Sequence, residues 1–161
     1  MIEKEVLKIL ENDARLSPQQ IASMTGSTAE TVECIIKQAE QDGTILRYKA
    51  LIDWDKAGND HVFALIEVRI TPQREVGFNA IAERIYKFDE ARTVYLMSGT
   101  FDLLVLVSGR TLRDISDFVT GKLAPIEGVT GTASHFLMKR YKEDGVILSG
   151  KDETKRQAVI L

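Results

Sequence analysis

The sequence is short of several things, and each shortage narrows what the chain can be. Cysteine occurs once, at Cys34, so no disulfide can form within the chain, and a reducing compartment is the expected setting. No stretch approaches the roughly 18 uninterrupted apolar residues that a membrane span requires. The start, Met1-Ile2-Glu3-Lys4-Glu5, lacks a basic segment leading into an apolar one, so no secretory signal is expected and the chain is read as cytoplasmic, without a membrane partner. Internal repeats, low-complexity tracts and long runs of one charge are missing. Histidine occurs twice, at His61 and His135, and neither has a companion at metal-ligand spacing, so both are expected as packed or solvated residues and no metal is predicted. There is no basic excess either: the formal net charge is -3 and the pI about 5.5, whereas a nucleic-acid binder often carries surplus Lys and Arg.

What is present is ordinary globular material, 44% hydrophobic and 28% charged, in a 161-residue chain long enough for one domain or two small ones. Two halves differ in periodicity. Ile2, Val6, Ile9 and Leu10 make one apolar helical stripe that ends near Asn12-Asp13. Ser17 can cap a second helix, with Pro18 at its first position and Gln20 three residues after the cap; it carries Ile21, Ala22 and Met24 and stops at Gly26. Ser27, followed three residues later by Glu30, predicts a third start, with Val32, Ile35, Ile36 and Ala39 inward and Gly43 as its end. Three such helices, the last two joined by a tight turn, make a helix-turn-helix core. Thr44–Ile52 is rich in strand formers and predicts a wing, and Asp55–Asp60 reads as a linker.

From His61 the period drops to two. Val62, Ala64, Ile66, Val68 and Ile70 alternate with Phe63, Leu65, Glu67 and Arg69 in a strand. Val76–Phe88 then reads as a helix, Thr93–Met97 and Asp102–Val107 as strands about the turn Ser98-Gly99-Thr100-Phe101. Leu112–Leu123 follows as a helix, and a last strand runs from Gly128-Val129 to about Met138. The order β-α-β-β-α-β is a ferredoxin-like unit whose antiparallel sheet has helices on one face only. The bare face needs a cover, and a second copy of the chain is the simplest one. The fold class expected is therefore α+β: residues 1–54 a winged helix-turn-helix, 55–60 a linker, 61–140 a ferredoxin-like βαββαβ (RAM/ACT-like) domain for effector binding and dimerisation, and 141–161 a tail. In that tail Val146-Ile147-Leu148 can add a short strand, and Ser149–Gln157 is polar.

These residues carry a resemblance. Glu5–Arg15 resembles the opening of the Lrp/AsnC (feast/famine) transcription regulators, and Gln41–Tyr48 with Ile52–Gly58 is similar to their passage from helix to wing and linker. Val94–Leu104 resembles the family's strand-turn-strand with its G-x-x-D signature, and Leu123–Val129 the approach to the final strand. The resemblance runs in order over roughly residues 1–140. It implies a winged helix on an effector domain, dimers built through the sheets and octameric rings of dimers. It also implies double-stranded operator DNA as partner, an amino acid or similar small molecule as effector, no other cofactor and no enzymatic activity.

For DNA contact the candidates are Ser27, Thr28, Thr31, Lys37, Arg47 and Lys49. The helical period turns Glu30, Glu33, Cys34, Lys37, Gln38 and Gln41 outward, and Glu33 and Cys34 stand where the family usually has basic or hydroxyl residues. Residues 1–60 hold seven basic against eleven acidic side chains. Affinity for DNA rests largely on phosphate neutralisation, so one head alone is expected to bind weakly and several heads together to bind well. At the second site Gly99 and Asp102 fit an ordinary hairpin turn in which Asp102 bonds its own backbone. They fit equally a place where backbone approaches a ligand and a carboxylate accepts from an ammonium group. The resemblance implies the second, with Leu96, Ser98, Gly99, Thr100, Asp102, Thr132 and Ser134 as effector residues. Two other readings remain open: a ligand-sensing assembly module that has lost DNA binding, which the acidic first half favours, and a protein like the haem-pathway decarboxylases that resemble this family.

Overall fold

The computed structural model describes residues 2–54, 56–58, 61–71 and 77–148. They fall into two compact units that divide between Leu51 and Ile52. The first is three helices, α1 (Ile2–Asn12), α2 (Pro18–Thr25) and α3 (Ala29–Gln41). Val6, Leu10, Ile21, Ala22 and Val32 form its buried centre, with Ile2, Ile9, Leu16, Ile35, Ile36 and Ile45 packed around them. The start of α2 is fixed reciprocally: the Gln20 N–H donates to Ser17 Oγ at 3.3 Å and the Ser17 N–H donates to Gln20 Oε1 at 2.8 Å. Gly26 ends it in the left-handed region, φ 67°, which an L side chain enters at a cost.

Met24, on the last turn of α2, is 60% exposed. Two expectations for this unit need correction. The cap of α3 is Thr28, not Ser27: Thr28 Oγ1 accepts the Thr31 N–H at 3.3 Å, which sets the helix one residue later and leaves Glu30 without a capping role. Residues 46–53 form no strand. A strand needs a neighbour for its backbone groups, and among the described residues this unit offers none. The segment is instead tied back to α3 by Ile45 N–H to the Ala39 carbonyl (2.8 Å) and Tyr48 Oη to Glu40 (2.9 Å).

The second unit contains β1 (Val62–Ile70), α4 (Phe78–Ile85), β2 (Ala91–Leu96), β3 (Leu103–Gly109), α5 (Leu112–Phe118) and β4 (Val129–Phe136). A π-helical turn, Val119–Leu123, continues α5. The sheet order is β2-β3-β1-β4, antiparallel throughout, as a ferredoxin-like unit requires. Ala64, Ile66, Val68, Ile70, Leu103, Val105 and Val107 face the helices and meet Ile81, Ile85, Ile115, Phe118 and Leu123 in one buried core. Phe88, just past α4, packs edge-on against Phe118 with centroids 5.5 Å apart. Leu112, the first residue of α5 behind its cap Thr111, is 57% exposed. Of the helix expected over Val76–Phe88, Val76 lies outside the described residues and the helix starts behind Gly77.

Gly128 turns the chain into β4 at φ 93°, and a Cβ built there would stand 2.7 Å from Ile81 Cδ1. Gly128→Ala combines a strained backbone with a displaced core side chain. It is expected to cost about 2–4 kcal/mol in a thermal or urea melt followed by circular dichroism.

Antiparallel partners share a face, so the register defines the other side of the sheet. Phe63 stands with Ser108, Leu65 with Leu106 and His135, and Glu67 with Leu104 and Ala133; Thr93 and Tyr95 of β2 extend the same surface. No described element covers it except at one corner. There Arg140 lies over the Phe63 ring at 5.0 Å and pairs with Glu143 at 2.9 Å. Arg140 leads into a small hairpin, β5 (Lys142–Glu143) and β6 (Val146–Ile147), turning on Asp144 (φ 45°) and Gly145 (φ 82°), the two positive-φ positions of a type I′ turn. This is the short strand expected near Val146; residues 149–161 lie outside the described residues.

Candidate functional site

The outward face of α3 is the surface that the helical period predicted: Glu30, Glu33, Cys34, Lys37, Gln38 and Gln41 are all exposed. At its start the Thr28 and Thr31 hydroxyls are 3.0 Å apart and accessible. Ser27 differs from them. Its hydroxyl bonds Thr25 Oγ1 at 2.9 Å and its N–H bonds the Ala22 carbonyl at 3.1 Å, so it closes the turn between α2 and α3. The ionised form of Glu30 is favoured by a hydrogen bond from its own backbone N–H and by the Thr28 hydroxyl, which keeps its carboxyl below the usual range. An anion thus sits at the helix end where phosphates are otherwise attracted. Lys37 is the only Lys or Arg within α3, and it is exposed one helical turn beyond Glu33. Arg47 and Lys49 are exposed on the segment after the helix.

The second site lies at the end of β1. Asp102 is bound there by three contacts: its carboxylate accepts the Ile70 N–H at 2.7 Å, its own N–H donates to the Val68 carbonyl at 3.0 Å, and its carbonyl accepts from the Met97 N–H at 2.8 Å. The bonded partner of the carboxylate is a neighbouring strand, not its own turn. Ser98, Gly99 and Thr100 are exposed, and a Cβ on Gly99 would meet nothing within 4 Å, so no packing among the described residues demands glycine at that position. Thr132 and Ser134 pair with Val68 and Ile66 and share their face at the β4 edge. Leu96 pairs with Leu103 on β2, at the opposite edge. Three strand spacings, about 14 Å, separate β2 from β4. Leu96 and the pair Thr132 and Ser134 therefore stand at opposite edges of one sheet, while Asp102 reaches β1, the strand beside β4.

Residues 63–147 match the model of the Lrp/AsnC ligand binding domain, and residues 2–45 match that of a winged helix-turn-helix DNA-binding domain. The chain belongs to the Lrp/AsnC family. The HTH-type transcriptional regulator YugG of Bacillus subtilis is 42% identical to it over 158 residues, 98% of this chain and 95% of the relative. An AsnC family transcriptional regulator from Agrobacterium tumefaciens has a similar structure, with TM-score 0.71 and 27% identity over 88% of this chain and 92% of that one. A transcriptional regulator of Neisseria meningitidis, solved as a complex with L-Met, shares the fold, with TM-score 0.72 and 22% identity over 88% and 91% of the two chains. The chain is thus a helix-turn-helix transcriptional regulator that carries the Lrp/AsnC ligand-binding domain.

Two residues of this Lrp/AsnC domain escaped the reading of the sequence as a pair. His135 Nε2 stands 3.1 Å from Glu67 Oε1 on the bare face. The alternation of β1 shows that Glu67 points away from the helices, but which residue of β4 meets it depends on a register between strands about sixty residues apart. Among the described residues no group of three or more His, Cys, Asp or Glu gathers as a metal site, and no helix is long and apolar enough to cross a membrane.

Proposed function

We propose that this Lrp/AsnC regulator works as a symmetric assembly, built sheet to sheet, whose hold on operator DNA is set by an amino acid bound between copies. The observation that carries this reading is the sheet itself: the described residues leave one face bare, and Leu96 stands at the opposite edge from Thr132 and Ser134. A second or third copy brings a β4 edge, with Thr132 and Ser134, to the turn formed by Ser98, Gly99, Thr100 and Asp102. The Asp102 carboxylate oxygen that the Ile70 N–H does not use has no hydrogen bond among the described residues and suits an ammonium group, and the exposed Ser98 and Thr100 hydroxyls suit a carboxylate. An amino acid carries both, and the L-Met complex of the Neisseria relative supports that class. DNA contact falls to Thr28, Thr31, Lys37, Arg47 and Lys49. Residues 1–54 are the reading head and residues 61–140 the effector and assembly domain, acting by binding rather than by catalysis in a cytoplasmic setting; assembly extends to rings of dimers.

A thermal-shift screen with the twenty amino acids, followed by gel shifts on the chain's own promoter with and without the hit, tests this. One class of amino acid is expected to raise the melting temperature and to change the amount of shifted DNA. No shift in melting temperature with any of them overturns the effector assignment. The acidic head favours one competing outcome, an assembly module without DNA binding, which a missing complex at low salt from an oligomeric protein would establish.

A further inference from the structure

The bare face of the sheet is apolar across β3, with Leu104 and Leu106, and on β1 with Phe63 and Leu65, yet it holds one acid and one imidazole in contact at its middle. Glu67 and His135 lie on adjacent strands, 3.1 Å apart, with side chains 29% and 59% exposed. We infer that association through this face takes up protons at the Glu67–His135 pair, so that the assembly tightens as pH falls from 8 to 6. This rests on the sheet-to-sheet assembly proposed above and adds a control to it.

The sign follows from charge burial. With its ring neutral, the pair is a carboxylate beside an imidazole and carries net charge minus one. Packing a second sheet on the face removes water from both groups, and an uncompensated buried charge is costly. A proton on the ring gives a neutral ion pair, and a proton on the carboxyl gives a neutral acid; both states hold one more proton per chain. The neighbouring charges do not replace that proton. Arg69, two residues along β1 on the same face, extends into solvent and makes no ion pair with Glu67, whose partner is His135. Arg140 is engaged by Glu143 and the Phe63 ring. β3 offers Ser108 and β2 offers Thr93 and Tyr95, none of them charged near neutrality. His61, the other histidine, sits against Phe63 with ring centroids 6.4 Å apart, at the far end of β1.

Sedimentation equilibrium of the full chain at pH 8, 7 and 6 in 0.15 M salt tests the inference. The dissociation constant is expected to fall roughly 10²-fold or more over that range, because one proton per chain is two per dimer and each gives up to about tenfold per pH unit. His135→Gln should flatten the dependence, and His61→Gln should leave it as in the wild type. Glu67→Gln should reverse it, because an imidazolium without its anion is then buried. A dimer whose dissociation constant is flat with pH, or whose pH dependence survives His135→Gln, overturns the proton linkage while leaving the assembly intact. A monomer at every pH overturns the assembly itself and the linkage with it.

Discussion

Asp102→Ala lowers the melting temperature by about 10 °C, before any ligand is considered. The Asp102 carboxylate accepts the Ile70 N–H where the pairing of β1 with β4 shifts register, between Arg69 and Ile70. Ile70 is 6% exposed, so its N–H has little access to water once the carboxylate is gone. A buried donor left without an acceptor costs roughly 1–3 kcal/mol, and in a domain of this size each kcal/mol moves the melting temperature by about 4–8 °C. Asp102→Asn separates the two roles of the residue. The amide oxygen can still accept from Ile70, so the melting temperature should stay within a few degrees of the wild type, while the charge that would hold an ammonium group is gone. Calorimetry of the asparagine variant with the effector found in the screen is expected to show binding at least tenfold weaker. Unchanged affinity would leave Asp102 a structural residue alone and would move the effector elsewhere.

What the sequence made legible follows the distance over which each feature is decided. Ser17, Pro18, Gln20 and Gly26 act on neighbours within four residues, and helix α2 starts and stops where they place it. Ser27 and Thr28 both have the chemistry of a cap. The choice between them was made by packing, because Ser27 is drawn into the α2–α3 turn by Thr25. Met24 and Leu112 are large and apolar yet exposed, because each sits on the first or last turn of a short helix, where the apolar stripe has run out. Alternation in residues 62–70 was enough to place Ala64, Ile66, Val68 and Ile70 inward. The effector residues were named individually, but their separation across the sheet depends on strand order, which emerges only when β3 enters between β2 and β1. The same holds for Glu67 and His135. The strand expected at residues 44–52 failed for a related reason: strand formers supply propensity, and a ladder needs a second strand.

Leu106→Asp is expected to reduce DNA affinity by roughly 10²–10⁴-fold from a position in the sheet, outside the head. Leu106 lies on the bare face, paired with Leu65 and Thr93, and its side chain points away from the helices. Within one chain the substitution exposes a carboxylate to water and costs about 1 kcal/mol or less in strand preference, so the fold should survive with an unchanged circular dichroism spectrum. Between two copies it places like charges across a face that has to lose its water, and the assembly should fall apart. The consequence for DNA follows from the charge of the head. With seven basic and eleven acidic side chains in residues 1–60, and with Glu30 ionised at the start of α3, one head neutralises few phosphates. Two heads held in one assembly bind the second half-site as an intramolecular event, and that gain is what the monomer loses. Gel shifts at two salt concentrations beside sedimentation of the same preparation measure both steps. A monomeric Leu106→Asp variant with wild-type affinity would show that each head suffices alone, and a variant that stays dimeric would place the interface on another surface.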